Sequence, residues 1–162
     1  MKTKGLRIRR ARVSDLSQIL AIEKEAFFIP WSKESFLREL EKKESVFLVI
    51  EEDGRILGYI CFWLIAEEMQ LANLAVRRDS RRRGLGRRLL ETALKIAKAY
   101  GARRALLEVR EGNLAAIRLY QSLGFKFEGR RPRYYPDTGE DALLMGLYLI
   151  ASREKSIHTW PS

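Results

Sequence analysis

An apolar run, Met69 to Val76, leads within a few residues into Arg81-Arg82-Arg83-Gly84-Leu85-Gly86, and that basic turn opens an amphipathic helix. No other stretch limits the possible folds as strongly. From Gly84 to Tyr100, Leu85, Leu89, Leu90, Ala93, Leu94 and Ala97 recur on one face, with Arg87, Arg88, Glu91, Lys95 and Lys98 on the other. This is the period of a helix with one buried side. Gly101 stands at the C-cap position, and Ala105 to Arg110 reads as the next strand. A strand–helix–strand unit makes its two strands parallel neighbours with a right-handed crossover. It also places a ligand site at the helix start. Glycines let a ligand approach the backbone, the first N–H groups of a helix lack partners, and arginines add full charge to the helix dipole. A pyrophosphate suits such a turn; an ordinary strand-to-helix connection with a basic surface is the alternative.

Around this unit the remaining elements follow from periodicity and capping. Leu6 to Ala11 reads as a first strand. Ser14-Asp15 starts a helix whose buried period runs through Leu16, Ile19, Leu20, Ile22 and Glu23 toward Phe27. Ile29-Pro30-Trp31 breaks it, and Ser32 caps a second helix with Phe36, Leu37 and Leu40 inward. Val46–Glu51 and Ile56–Ile65 form a hairpin about Asp53-Gly54. Asn113 caps a short helix to Leu123, stopped by Gly124. Phe125–Arg131 and Ala142–Leu149 form a last strand pair around a long loop, Pro132 to Asp141. The expected architecture is α/β (α+β): a mixed central sheet of about seven strands flanked by about four helices.

Composition bounds the function classes. The chain has 162 residues, 46% hydrophobic and 32% charged, which suits one globular domain over residues 1–151, with a polar, poorly ordered tail over 152–162. No apolar run is long enough to span a membrane, and no secretory h-region follows the basic N-terminus. With one cysteine, Cys61, and one histidine, His158, neither an internal disulfide nor a metal site is expected. These signs together read as cytoplasmic. The net charge of +10 admits direct nucleic-acid binding; ion-paired solvated faces are the simpler explanation.

Four segments together resemble the GCN5-related N-acetyltransferases (GNAT). They are Asn73-Leu74-Ala75-Val76, the Arg81–Gly86 turn, Leu107-Glu108-Val109-Arg110 with Asn113, and Leu119-Tyr120-Gln121-Ser122-Leu123-Gly124-Phe125. The resemblance spans roughly residues 6 to 149. It is nearest to the RimI-type protein N-terminal acetyltransferases, through Phe28-Ile29-Pro30-Trp31-Ser32 and through Arg133-Tyr134-Tyr135-Pro136 with Gly139-Glu140-Asp141-Ala142 and Met145. Ard1-type relatives share the tyrosine-rich hairpin, but often have Glu and His where this chain has Trp31 and Gln70.

The resemblance implies acetyl-CoA as co-substrate, with no metal. Its pyrophosphate would lie on the backbone of Arg82, Arg83, Gly84, Leu85, Gly86 and Arg87, its pantetheine arm along the main chain of Leu74, Ala75 and Val76, and Arg81, Asn113 and Tyr120 would add contacts. It implies Glu108 as general base and Tyr120 as the acid assisting CoA departure. Ile29, Trp31, Tyr134 and Tyr135 would admit the N-terminus of a protein or peptide, such as a ribosomal protein or nascent chain. A lysine side chain or a small amine remains an alternative acceptor. Each residue also has a plainer reading: Glu108 as an ion pair with Arg110 or Arg118, Tyr120 as a packing residue, and the tyrosine pair as hairpin aromatics covering the core.

Overall fold

The computed structural model describes residues 5–149. One seven-stranded sheet runs β1 (Leu6–Arg10), β2 (Ser45–Glu52), β3 (Arg55–Ile65), β4 (Glu68–Val76), β5 (Arg104–Arg110), β7 (Glu140–Tyr148), β6 (Lys126–Tyr135) from edge to edge. Every neighbouring pair is antiparallel except β4–β5. Helices α1 (Leu16–Ala26) and α2 (Lys33–Glu41) cover one face, where Ile19, Ile22 and Phe36 pack on Phe47, Tyr59 and Cys61. Helices α3 (Leu85–Ala99) and α4 (Leu114–Ser122) cover the other, with Leu89, Leu90, Ala93 and Ile117 on Leu48, Ile60, Leu107 and Val109. Burial on both faces explains why β2 and β3 read as nearly continuous apolar runs.

Local chemistry sets the boundaries. Asp53 and Gly54 both have positive φ, the left-handed pair that a two-residue hairpin requires. Ser32 Oγ accepts from Ser35 N–H at 3.1 Å, and Asn113 Oδ1 from Ala116 N–H at 3.2 Å, so both expected caps are present. The crossover strands β4 and β5 are parallel neighbours as expected, but they pair only over Glu68↔Arg104, Met69↔Ala105 and Gln70↔Leu106. Beyond Gln70 they diverge, and the sheet opens into a wedge.

Two expectations are corrected. The stretch Pro132–Asp141 is not a long loop: β6 continues to Tyr135, β7 begins at Glu140, and only residues 136–139 turn. Three residues, Pro132 to Tyr134, face the single residue Asp141 between the register pairs Arg131↔Ala142 and Tyr135↔Glu140. This bulge hid a strand behind loop-like composition. Within α3, Ile96 is buried while Leu94 is only partly covered. The tail expectation for 152–162 lies outside the described residues.

Candidate active site

The basic turn is built to offer donors. Gly84 (φ +75°) is the N-cap of α3 and supplies no side-chain cap. The first backbone bond into the helix is Arg88 N–H to Gly84 O at 3.0 Å, and the turn before it closes with Arg81 N–H on Arg78 O. Between them, six consecutive backbone N–H groups, from Arg82 to Arg87, meet no acceptor among the described residues. The two glycines have different reasons. Gly84 needs its positive φ, whereas a Cβ on Gly86 would meet Leu119 and Val76 at 3.7 Å, ordinary contact. Nothing among the described residues requires glycine at 86. The arginine side chains are partly committed: Arg81 Nε to Val76 O, Arg83 to Glu52, Arg87 to Glu91 and Ser122.

From the turn, β4 leads to the wedge. Beyond Gln70 it keeps β3 on one side and, among the described residues, has no strand on the other, so Leu74, Ala75 and Val76 present main-chain groups to the gap. The side chains of these three residues join the two cores. Cys61 pairs with Asn73 and Phe62 with Leu71, so Ala72 is an extra residue, a bulge that twists β4 where the wedge opens.

Glu108 alternates out of the core while Leu107 and Val109 face in. Its partner is neither Arg110 nor Arg118: Arg131 Nε lies 2.9 Å from Glu108 Oε2, with the carboxylate one-third exposed. Arg110 instead grips Asp137 at 2.8 and 2.9 Å and lies 4.0 Å from the Tyr135 ring centre. Tyr134 and Tyr135 meet edge to face at 5.1 Å. Burial, then the nearby Glu108 charge, raises the Tyr135 phenol. Tyr120 is 7% exposed and packs on Phe125; burial, then Tyr135, pushes its phenol up to about 12. Its hydroxyl makes no hydrogen bond to a described residue. Tyr135 therefore stands within electrostatic reach of both Glu108 and Tyr120. Asn113 caps α4, two turns before Tyr120.

The loop between α1 and α2 is fixed by a group that sequence reasoning did not single out. Glu23 is 1% exposed; Oε1 accepts from Tyr59 OH and from Asn73 Nδ2 (2.9 Å), and Oε2 from Trp31 N–H (2.8 Å). A carboxylate on the buried period of α1 was the available signal, because it demands several donors. Trp31 packs on Phe36 at 5.2 Å, while Ile29 and the neighbouring Phe28 (86% exposed) stand at the surface. No ring contact or hydrogen bond joins this loop to Tyr134 or Tyr135 among the described residues. Cys61 is a buried hydrophobe as expected, its thiol pushed up to about 12 by burial.

A model of the acetyltransferase (GNAT) family matches residues 16–125. The chain is 40% identical over 146 residues to a protein of Bacillus subtilis (strain 168) named as a candidate ribosomal protein bS18-alanine N-acetyltransferase, spanning 90% of this chain and 96% of that one. It is 39% identical over 157 residues to an N-alpha-acetyltransferase of Sulfurisphaera tokodaii, spanning 89% and 93%. The crystal structure of the ribosomal-protein-S18-alanine N-acetyltransferase from Escherichia coli superposes with a TM-score of 0.84 at 31% identity, covering 96% of this chain and 100% of that one.

Proposed function

The chain belongs to the acetyltransferase (GNAT) family, and we propose that within it the protein is an N-terminal α-acetyltransferase using acetyl-CoA. The observation that carries this reading is that β4 leads from an edge without a strand partner beyond Gln70 into six backbone N–H groups without acceptors, all among the described residues, while Glu108 lies on the diverging strand β5 and is coupled to Tyr135, as Tyr120 is. Residues 82–87 would hold the pyrophosphate, with the β4 edge along the pantetheine arm. When bound, acetyl-CoA supplies an acetyl group activated as a thioester, to which an amine adds with release of CoA thiol.

Glu108 accepts the proton that the acceptor nitrogen must lose. An α-amino group titrates near about 7.7–8.0, so a carboxylate can serve as its base; a lysine amine near about 10.4 is far harder to neutralise. Tyr120, with a pKa near 12, keeps its proton and acts as a hydrogen-bond donor toward the departing sulfur. Tyr134, Tyr135, Ile29 and Trp31 border the acceptor's entry. The proposed chemistry needs no metal. The relatives' names favour a ribosomal protein or another protein N-terminus as acceptor, and that acceptor carries a cytoplasmic location with it.

Mass spectrometry of acetyl transfer to peptides starting Ala, Ser, Met-Leu or Met-Glu, each with an internal lysine, tests the reading. Acetyl gain confined to free N-termini is expected. Gain on N-terminally blocked peptides would replace it with a lysine acetyltransferase.

A further inference from the structure

The carboxylate assigned as base is already engaged by a cation. Arg131 reaches Glu108 from two strands away, and its route is visible in the register. Ala142 of β7 is the partner of both Arg131 on β6 and Arg110 on β5, and Leu144 stands between Gly129 and Glu108. A small residue at 142 lets the Arg131 stem cross β7. The neighbouring cations are committed elsewhere: Arg130 to Glu111 and Asp141, Arg110 to Asp137 and Glu140. The Arg131 guanidinium also lies 5.7 Å from the Tyr134 ring centre, a second seat on the same side. Its side chain is 57% exposed, so its hold on Glu108 is reversible.

We propose that Arg131 is an electrostatic latch: it occupies the Glu108 carboxylate in the free enzyme and yields it to the acceptor's α-ammonium, moving toward Tyr134. This rests on the reading of Glu108 as base. One carboxylate cannot neutralise two cations, and a neighbouring guanidinium disfavours the charged form of an amine. The guanidinium cannot give up a proton in the working pH range; the ammonium can. One N–H bond of the ammonium breaks, one O–H bond forms on Glu108, and Arg131 keeps its charge. Only an acceptor with a free, cationic terminus releases the latch; a blocked terminus leaves Arg131 on Glu108.

The test is binding of an Ala-starting peptide and its N-acetylated twin to enzyme saturated with CoA, by calorimetry. Arg131→Ala should bind the free peptide ~2–5-fold tighter, the scale of an exposed ion pair, and leave the blocked peptide unchanged. Arg131→Lys, which keeps the charge, should behave closer to wild type. In a Glu108→Gln background the Arg131→Ala gain should vanish, as a double-mutant cycle requires. Equal shifts for both peptides, no shift, or weaker binding of the free peptide by Arg131→Ala would overturn the latch. If wild-type enzyme acetylates no free N-terminus, the parent reading falls and the latch with it. If N-termini are acetylated but Glu108→Gln keeps full turnover, only the assignment of the base and its latch falls.

Discussion

At Tyr120 the surrounding core decides what the hydroxyl can do. Burial raises its pKa to about 12, so it stays protonated wherever an α-amine reacts. A Tyr120→Phe enzyme should therefore lose ~10²-fold in kcat, while the pH profile of kcat/KM keeps its shape up to about pH 10. A falling limb near pH 9 that disappears in the phenylalanine variant would show the phenol titrating instead. Glu108 lies at the opposite extreme, a partly exposed carboxylate in an ion pair. Glu108→Gln should cost ~10²–10⁴ in kcat with the KM for acetyl-CoA unchanged, since the amide cannot accept the proton but leaves the cofactor path intact. Steady-state kinetics on the variant checks both.

Two glycines and one buried acid set how the elements carry the site. Gly84 sits at φ +75°, so Gly84→Ala should destabilise by ~1–2 kcal/mol. Gly86 begins a regular helix and has room for a Cβ. Gly86→Ala should thus hold or raise stability, by up to about 1 kcal/mol, and still weaken acetyl-CoA binding. Urea unfolding and cofactor titration of the two variants would separate a backbone requirement from a ligand requirement; undiminished cofactor binding by Gly86→Ala would sink the pyrophosphate assignment. Glu23 ties α1, β3, β4 and the Phe28–Trp31 loop through three donors. Glu23→Ala would orphan all three and should cost about 3 kcal/mol or more; Glu23→Gln, which keeps one acceptor oxygen, should cost less and raise the peptide KM.

For the whole molecule, burial and ion pairs write a pH window for stability. Cys61 is pushed from 9.0 to about 12 and Tyr120 from 10.0 to about 12, burial leading in each, and Tyr59 moves the same way. Folded values above the unfolded ones mean stability is complete below about pH 9 and falls as pH rises toward 12. On the acid side, burial opposes ionisation of Asp15 and Glu39, yet hydrogen bonds from Arg9 and from Lys42 hold them low; the Arg9 bond does the same for Glu51. Their contribution is present above about pH 4 and is lost as pH falls. Urea midpoints from pH 3 to 11 should trace a plateau with both shoulders. The high positive charge is also accounted for in part: Arg9, Arg55, Arg83, Arg87, Arg104, Arg110, Arg130 and Arg131 all stand in ion pairs.

Periodicity and capping by themselves determined which segments are strands and helices outside Pro132–Tyr135, because an amphipathic period, an Asp-Gly turn and Ser or Asn caps act over a few residues. The basic glycine turn likewise announced its free N–H groups, a property of any helix start. Tertiary structure alone decided the partners. Glu108 meets Arg131 rather than Arg110 because β7 lies between β5 and β6 and carries a small residue where the arginine crosses. Residues Pro132 to Tyr135 join a strand because Asp141 accepts the Arg133 N–H and pins the bulge. Glu23 becomes the anchor of the α1–α2 loop only when β3 and β4 bring Tyr59 and Asn73 beneath it. Long-range pairings of this kind depend on strand order and register, and neither is written in any local run of residues.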